Sequence, residues 1–251
     1  MTSPSQTKIA FVTGASYGIG AAAALALAQD GYDLVIVDLR LDMLAQTEMD
    51  LLALGRRVLK LALDVNQQEL IDAALAQTLA HFGRLDVLVN NAGVPQRKSA
   101  IEVTREDWRK VMDVNLAGSF FMSQSVARHW ISSQMKGSIV SVASTHGLVG
   151  LANSSVYGIS KAGIIHMTRM LAIEWAEHGI RVNAIAPAST LTPTRTGLND
   201  PDKRDQFLSR IPLARLGQPS DMGQAIAYLA GERASFITGH TLVVDGGVTV
   251  Q

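Results

Sequence analysis

Short apolar runs rich in β-branched residues alternate along the chain with longer amphipathic stretches. Ile9–Thr13, Leu34–Asp38, Val58–Leu63, Leu85–Asn90, Ser138–Ser144, Ile180–Ala186 and Thr241–Val244 read as strands. Several are apolar at every position, the pattern of strands covered on both faces in a parallel sheet. Between them Gly20–Asp30, Asp42–Leu54, Gln67–Phe82, Arg105–Gln134, Val156–His178 and Ser220–Gly231 read as helices. This alternation predicts an α/β fold, a doubly wound seven-stranded parallel sheet with helices on both faces. No Pro/Ser-rich linker or charge run divides it, so residues 1–251 read as one domain. Proline departs from the rhythm: five of the seven prolines lie between Pro187 and Pro219. A long loop there, at about 188–215, predicts a substrate lid, the alternative being a disordered excursion.

The turn after the first strand carries the first candidate chemistry. Gly14, Ser16, Tyr17, Gly18, Ile19 and Gly20 lie between that strand and the helix that follows. Glycines permit a tight turn and close approach of backbone to a pyrophosphate, and the helix N-terminus supplies free N–H donors and partial positive charge. The spacing is Gly-x-x-x-Gly-x-Gly rather than Gly-x-Gly-x-x-Gly, so its strand-before, helix-after setting carries the weight. A purely structural turn is the alternative. Asp38 ends the second strand 18 residues after Gly20. A carboxylate there suits the ribose hydroxyls of NAD and repels the 2′-phosphate of NADP. Arg40, two residues on, pulls the other way, and a solvated helix cap is the plain reading of Asp38.

Tyr157 and Lys161 open a helical segment, and a four-residue spacing puts them on one face. Phenol and ammonium both titrate near 10 in isolation, and a neighbouring ammonium favours the phenolate. Bringing the phenol near neutrality asks for roughly 4 kcal/mol of differential stabilisation. Such a tyrosine exchanges a proton with an alcohol or carbonyl oxygen. Taken alone the pair is weak evidence, since an exposed polar helix face explains most such spacings.

Composition narrows the classes. Lys+Arg and Asp+Glu are both 22, which gives no polyanion-binding balance and makes nucleic acid an unexpected partner. With no cysteine, disulfides, thiolate nucleophiles and thiolate metal sites are excluded. The six histidines show no metal-ligand spacing; Glu174 and His178 read as a surface ion pair, and no metal is expected. The polar start and the four-residue apolar run Ile9–Val12 fit neither a signal peptide nor a membrane span, so a soluble cytoplasmic protein is the expectation.

Taken in order, these motifs resemble the short-chain dehydrogenase/reductase family, in its Rossmann-like single-domain branch of about this length, over nearly the whole chain. Thr13–Gly20 is similar to its glycine motif and Asn90-Asn91-Ala92-Gly93 to its second signature. Asn115 matches its catalytic asparagine, and Ser144, thirteen residues before Tyr157, its catalytic serine. Arg181–Pro187 and Asp245-Gly246-Gly247 match late signatures, the last a strand end near a subunit contact. The resemblance implies that Ser144 orients the substrate oxygen and Tyr157 transfers the proton. It implies that Lys161 lowers the tyrosine pKa and holds the nicotinamide ribose, and that Asn115 distorts its helix and holds a relay water. Asp64 and Val65 would flank the adenine, Asn91 and Gly93 the adenosine ribose and cofactor backbone, and Thr190 and Thr192 the carboxamide. A homotetramer is the family expectation.

Two departures stand out. Ala188 replaces the glycine that normally lies against the nicotinamide, and an alanine fits only where φ stays negative. Ala143 replaces a frequent first serine, a position that is not catalytic. For substrate, the 3-oxoacyl thioester reductases of the family tend to carry arginine where this chain has Tyr17 and Ile173. The segment Leu171–Gly179, with Trp175, resembles sugar, sugar-acid and polyol dehydrogenases, although Trp175 serves equally as a packed aromatic. Thr145, His146 and Asn153 would line the pocket with Ser144 and Tyr157 and suit a hydroxylated small molecule; Gln96 and Arg97 could meet a polar or anionic group. Arg204, Arg210 and Arg215 could bind an anion in the lid, or form a solvated face. The expectation is hydride transfer between NAD(H) and a polyol, sugar or similar secondary alcohol. The rivals are a 3-oxoacyl thioester reductase, a non-catalytic NAD-binding sensor, and an epimerase or dehydratase, whose known members are longer with other glycine spacing.

Overall fold

A computed structural model describes residues 7–192 and 208–250. Seven strands, β1 (Ile9–Thr13), β2 (Asp33–Asp38), β3 (Val58–Ala62), β4 (Val87–Asn90), β5 (Gly137–Val142), β6 (Ile180–Pro187) and β7 (Thr241–Val244), form one sheet in the order β3-β2-β1-β4-β5-β6-β7. Every neighbouring pair is parallel. The order reverses between β1 and β4, so the loops leaving their carboxyl ends diverge and open a crevice there, where open α/β sheets bind ligands.

Alternation along β1 shows how the sheet is covered. Ile9 and Phe11 enter one apolar cluster with Leu88, Trp130, Ile139 and Val182. Ala10 and Val12 enter the other, with Leu27, Ile36, Val140 and Ile226. Helices α1 (Gly18–Gln29), α2 (Ala45–Ala53), α3 (Gln68–Phe82), α5 (Ser119–Ser132), α6 (Ser155–Trp175) and α7 (Pro219–Ala230) supply the covering side chains, and α4 (Arg105–Met112) precedes α5. Among the described residues no helix is long and apolar enough to cross a membrane.

The elements depart from the sequence reading where backbone groups find other partners. The helix read as Arg105–Gln134 is interrupted by a π turn at Asp113–Gly118. The strand read to Ser144 stops at Val142, because Ser144 caps the short 3-10 turn Thr145–Gly147 by accepting from His146 N at 3.2 Å. The strand read from Leu85 begins at Val87, and the helix read from Asp42 starts as a 3-10 turn, Leu41–Leu44. His178 pairs with Glu177 at 3.7 Å instead of with Glu174. Residues 193–207, the middle of the expected lid, and with them Arg204, lie outside the described residues.

The alanine-rich start of α1 lets α7 lie against it. A Cβ on Gly223 would come within 2.4 Å of Ala22 O, while Ala23, Ala24, Ala26 and Ala28 are buried. This close crossing fixes α1, and α1 fixes the glycine turn at its N-terminus. Gly223→Leu forces the two helices apart and is expected to lower stability by about 2–3 kcal/mol, read from the urea midpoint.

Candidate active site

Four of the loops leaving the carboxyl ends of the strands converge. At the first, Gly14 and Gly18 both adopt φ +62°. A Cβ on Gly14 would meet Asn91 Nδ2 at 2.9 Å, and one on Gly20 would meet Gly14 O at 2.1 Å. The turn therefore tolerates no side chain at these points. Tyr17, the N-cap of α1, makes no side-chain cap, and the first turn of α1 holds no acidic residue. The first amides of α1 are thus left to an anion, so the cradle fits the phosphates of a dinucleotide.

The other expected cofactor residues surround this turn in different roles. Asp38 Oδ2 accepts from Ser16 N at 3.2 Å and from the Ser16 hydroxyl, and Oδ1 accepts from Leu39 N at 2.8 Å. It therefore closes the glycine turn rather than capping a helix, whose N-cap position is Arg40. Arg40 is held by both carboxylate oxygens of Asp42, at 3.1 and 3.0 Å. Asn91, expected along the ribose, turns its amide into the glycine turn, donating to Thr13 O at 3.0 Å and Gly14 O at 2.8 Å. Val65 is buried and packs on Gly118 of the π turn. Asp64 accepts from Asn66 N and the Gln67 amide. Ile19 packs on the core, Tyr17 is exposed, and Thr192 lies beside Gly18. Thr190 donates to Ala188 O at 3.1 Å. Ala188 does not adopt positive φ, and its N–H reaches Val244 O at 3.2 Å, so its methyl is carried without backbone strain.

The reactive side chains gather where β4, β5 and α6 meet. Lys161 Nζ stands 5.7 Å from the Tyr157 ring centroid and donates to Val142 O at 2.7 Å. Ser144 stands close enough to the Tyr157 phenol to favour its ionised form. Asn115, fully buried in the π turn, accepts from Val94 N at 2.7 Å and donates to Val94 O and Ser160 Oγ, each at 3.1 Å. The wider turn removes a regular i→i−4 constraint and lets one amide pair with a neighbouring backbone as a strand would. Gly93 lies over the pair: a Cβ there would stand 3.2 Å from Asn115 Oδ1 and 3.6 Å from Lys161 Nζ.

Electrostatics change one expectation. Burial pushes the Lys161 ammonium down to about 8. Burial also pushes the Tyr157 phenol above its ordinary value, with the Ser144 hydrogen bond working the other way. The phenol lowered by Lys161 that the sequence suggested is therefore not met in this geometry. Desolvation of the phenol is the larger influence, and the ammonium directs a proton to Val142 O instead of to the phenol.

The mouth of the site is built by two loops. His146 meets Tyr157 edge to face, with ring centroids 5.8 Å apart. Asn153 adopts φ +60°, and its carbonyl accepts from Lys98 N at 2.8 Å. Ser154 Oγ donates to Gln96 O at 3.4 Å, and Thr145 is buried. Arg215, at the end of the expected lid, is engaged by both oxygens of Asp221, and Trp175 packs on the core. Three contributors were missed in the sequence. Thr13 Oγ1 accepts from Asn91 N and Ala92 N. Ser160 accepts from Asn115 and donates to Tyr157 O at 2.7 Å. Val142 contributes only a carbonyl, which no side-chain motif reveals; Ser160, between Tyr157 and Lys161, was within the motif and passed over.

Lys161→Met removes a buried charge and is expected to raise stability by about 1–2 kcal/mol at pH 7. The folded value near 8 lies below the ordinary lysine value of 10.5, so the folded chain binds fewer protons between them. Wild-type stability then climbs from about pH 8 toward 10.5, and the variant's advantage shrinks over that window. Thermal melts across pH check this. Asn115→Ala strands the Val94 amide and carbonyl and is expected to cost about 2–4 kcal/mol in urea unfolding.

Comparison with known proteins fits this arrangement. A family model described as enoyl-(acyl carrier protein) reductase matches residues 14–249. The 2-dehydro-3-deoxy-D-gluconate 5-dehydrogenase of Escherichia coli is 41% identical over 96% of this chain and 94% of its own length. A 3-oxoacyl-[acyl-carrier-protein] reductase of Thermotoga maritima is 38% identical over 97% of this chain and 98% of its own. The crystal structure of a proposed 2-deoxy-D-gluconate 3-dehydrogenase from Agrobacterium tumefaciens, with NADP bound, superposes with a TM-score of 0.90 at 33% identity, covering 98% of each chain. The glycine cradle, the doubly wound sheet and these whole-length likenesses agree: the chain belongs to the short-chain dehydrogenase/reductase family and is an oxidoreductase acting on CH–OH groups.

Proposed function

We propose that the chain is an NAD-dependent dehydrogenase of a hydroxylated small molecule, a polyol, sugar or sugar acid, with Tyr157 as proton acceptor and donor. The observation that carries this reading is the buried Lys161 ammonium, held by Val142 O and 5.7 Å from the Tyr157 ring centroid. The bound nicotinamide supplies two-electron hydride chemistry. Ser144 orients the substrate oxygen by hydrogen bonding. Tyr157 takes the alcohol proton in oxidation and returns it in reduction. Lys161, held by Val142 O, keeps positive charge beneath the phenol, and Asn115 holds Val94 and so the roof over Lys161. Gly14, Ser16, Tyr17, Gly18, Ile19 and Gly20 would cradle the phosphates. Asp38, Asp64, Val65, Asn91 and Gly93 would border the adenosine half, and Thr190 and Thr192 the carboxamide. His146 and Asn153 would line the substrate side.

For NAD over NADP the support is the Asp38 carboxylate, with Arg40 already engaged by Asp42. Similarity to dehydrogenases of sugar acids favours a hydroxylated substrate. A 3-oxoacyl reductase is the second reading, favoured by the Thermotoga relative. Against it stands Ile173, 76% exposed where a docking arginine is typical. We take residues 1–251 as one domain with a lid near 188–215, located in the cytoplasm. The apolar Phe121, Met170 and Ile173 on the outer faces of α5 and α6 support a homotetramer.

The decisive assay follows NADH formation with a polyol, sugar-acid and ketone panel. Tyr157→Phe is expected to lower kcat at least a thousandfold while cofactor binding persists; retained turnover removes Tyr157 from the mechanism, and binding without turnover in the wild type favours a sensor. Asp38→Ser is expected to reduce the NAD-over-NADP ratio of kcat/KM at least tenfold.

A further inference from the structure

We propose that Arg97 is the specificity residue that receives a carboxylate on the substrate, so that the preferred substrates are hydroxy acids rather than neutral polyols. The inference rests on the oxidoreductase reading of the same site and adds a residue and a charge to it.

Three observations meet at this residue. The first is its place. The segment leaving β4 passes Gly93, over Lys161 and Asn115, and is fastened by Val94 to Asn115. It then crosses the entrance to α6, where Lys98 N donates to Asn153 O and Ser154 Oγ donates to Gln96 O. Arg97 is the residue between those two fastenings, and Tyr157 lies on the first turn of the helix they enter. The backbone carrying Arg97 is therefore fixed at both sides, against the N-terminal end of the helix that carries Tyr157.

The second is its charge. Lys98, the adjacent cation, is spent on Asp107 at 2.6 Å, and Asp107 in turn caps α4 through Thr104. Arg97 is exposed and makes no hydrogen bond or ion pair with another described residue. The third is chemistry. A guanidinium offers two parallel N–H donors that match a carboxylate, while a neutral polyol offers nothing of that geometry or charge. Charge-assisted pairs of this kind typically change affinity by about 10- to 100-fold.

The test uses matched six-carbon substrates, D-gluconate and its neutral counterpart D-glucitol, with Arg97→Gln and Arg97→Lys. The acid-over-neutral ratio of kcat/KM is expected to fall at least tenfold in Arg97→Gln, carried mainly by KM, and to be largely kept in Arg97→Lys. Calorimetric binding of D-gluconate to the NADH-loaded protein is measured in parallel, so that the assignment is tested whether or not either compound is turned over. Weaker gluconate binding in Arg97→Gln, with partial return in Arg97→Lys, supports it. A ratio and an affinity that ignore the substitution, or wild-type protein that shows no gluconate binding and no preference for the acid, overturn it. Absence of turnover with the whole panel, together with intact Arg97-dependent binding, would instead sink the dehydrogenase reading and leave the anion site standing.

Discussion

A lysine ammonium kept out of water, with Val142 O as the acceptor for its proton, is the contact around which the site is organised. Isolated burial of this charge is costly, and burial accordingly pushes its pKa down to about 8. The cost is tolerable because neighbouring parts are shaped to the same point. Gly93 brings backbone over the ammonium without a side chain, the Tyr157 ring flanks it, and the π turn delivers Asn115 to hold the loop above. Loosening any of these would admit water and release the lysine from its place.

The same logic explains why the phenol is raised rather than lowered. Tyr157 is buried, and a buried phenolate needs a positive charge with its field directed at the ring. Lys161 supplies charge but is turned toward a strand carbonyl. The site thus holds the phenol neutral, accepting from Ser144 and with its own proton free for a substrate oxygen, and a further positive group beside the ring is required to draw that proton away at neutral pH.

Much of this was legible in the sequence because it depends on local pattern. All seven strands and their parallel arrangement followed from short apolar runs separated by helical stretches. The glycine turn was readable because close approach excludes every other residue at Gly14 and Gly20. What escaped depends on pairing between distant segments. The π turn has no periodicity of its own: only the family resemblance pointed to a distortion at Asn115, and its physical cause, Asn115 reaching Val94 twenty-one residues away, lies outside any local pattern. That the Asn91 amide braces Thr13 and Gly14 was not legible either, because spacing reports which residues approach a site and not which way they face. The strand at Ser144 was drawn too long for a similar reason: its hydroxyl takes the amide of His146 and ends the ladder.

The claim that the phenol is primed only when a positive group joins Lys161 is tested most directly by following the tyrosine Cζ signals in ring-labelled protein by 13C NMR. With four tyrosines in the chain, Tyr157→Phe identifies the resonance. The account predicts that Tyr157 titrates above the ordinary tyrosine range in the protein alone and falls by about two pH units or more when NAD+ is added. A phenol that already titrates near neutrality without the cofactor, or one that ignores it, would contradict the account.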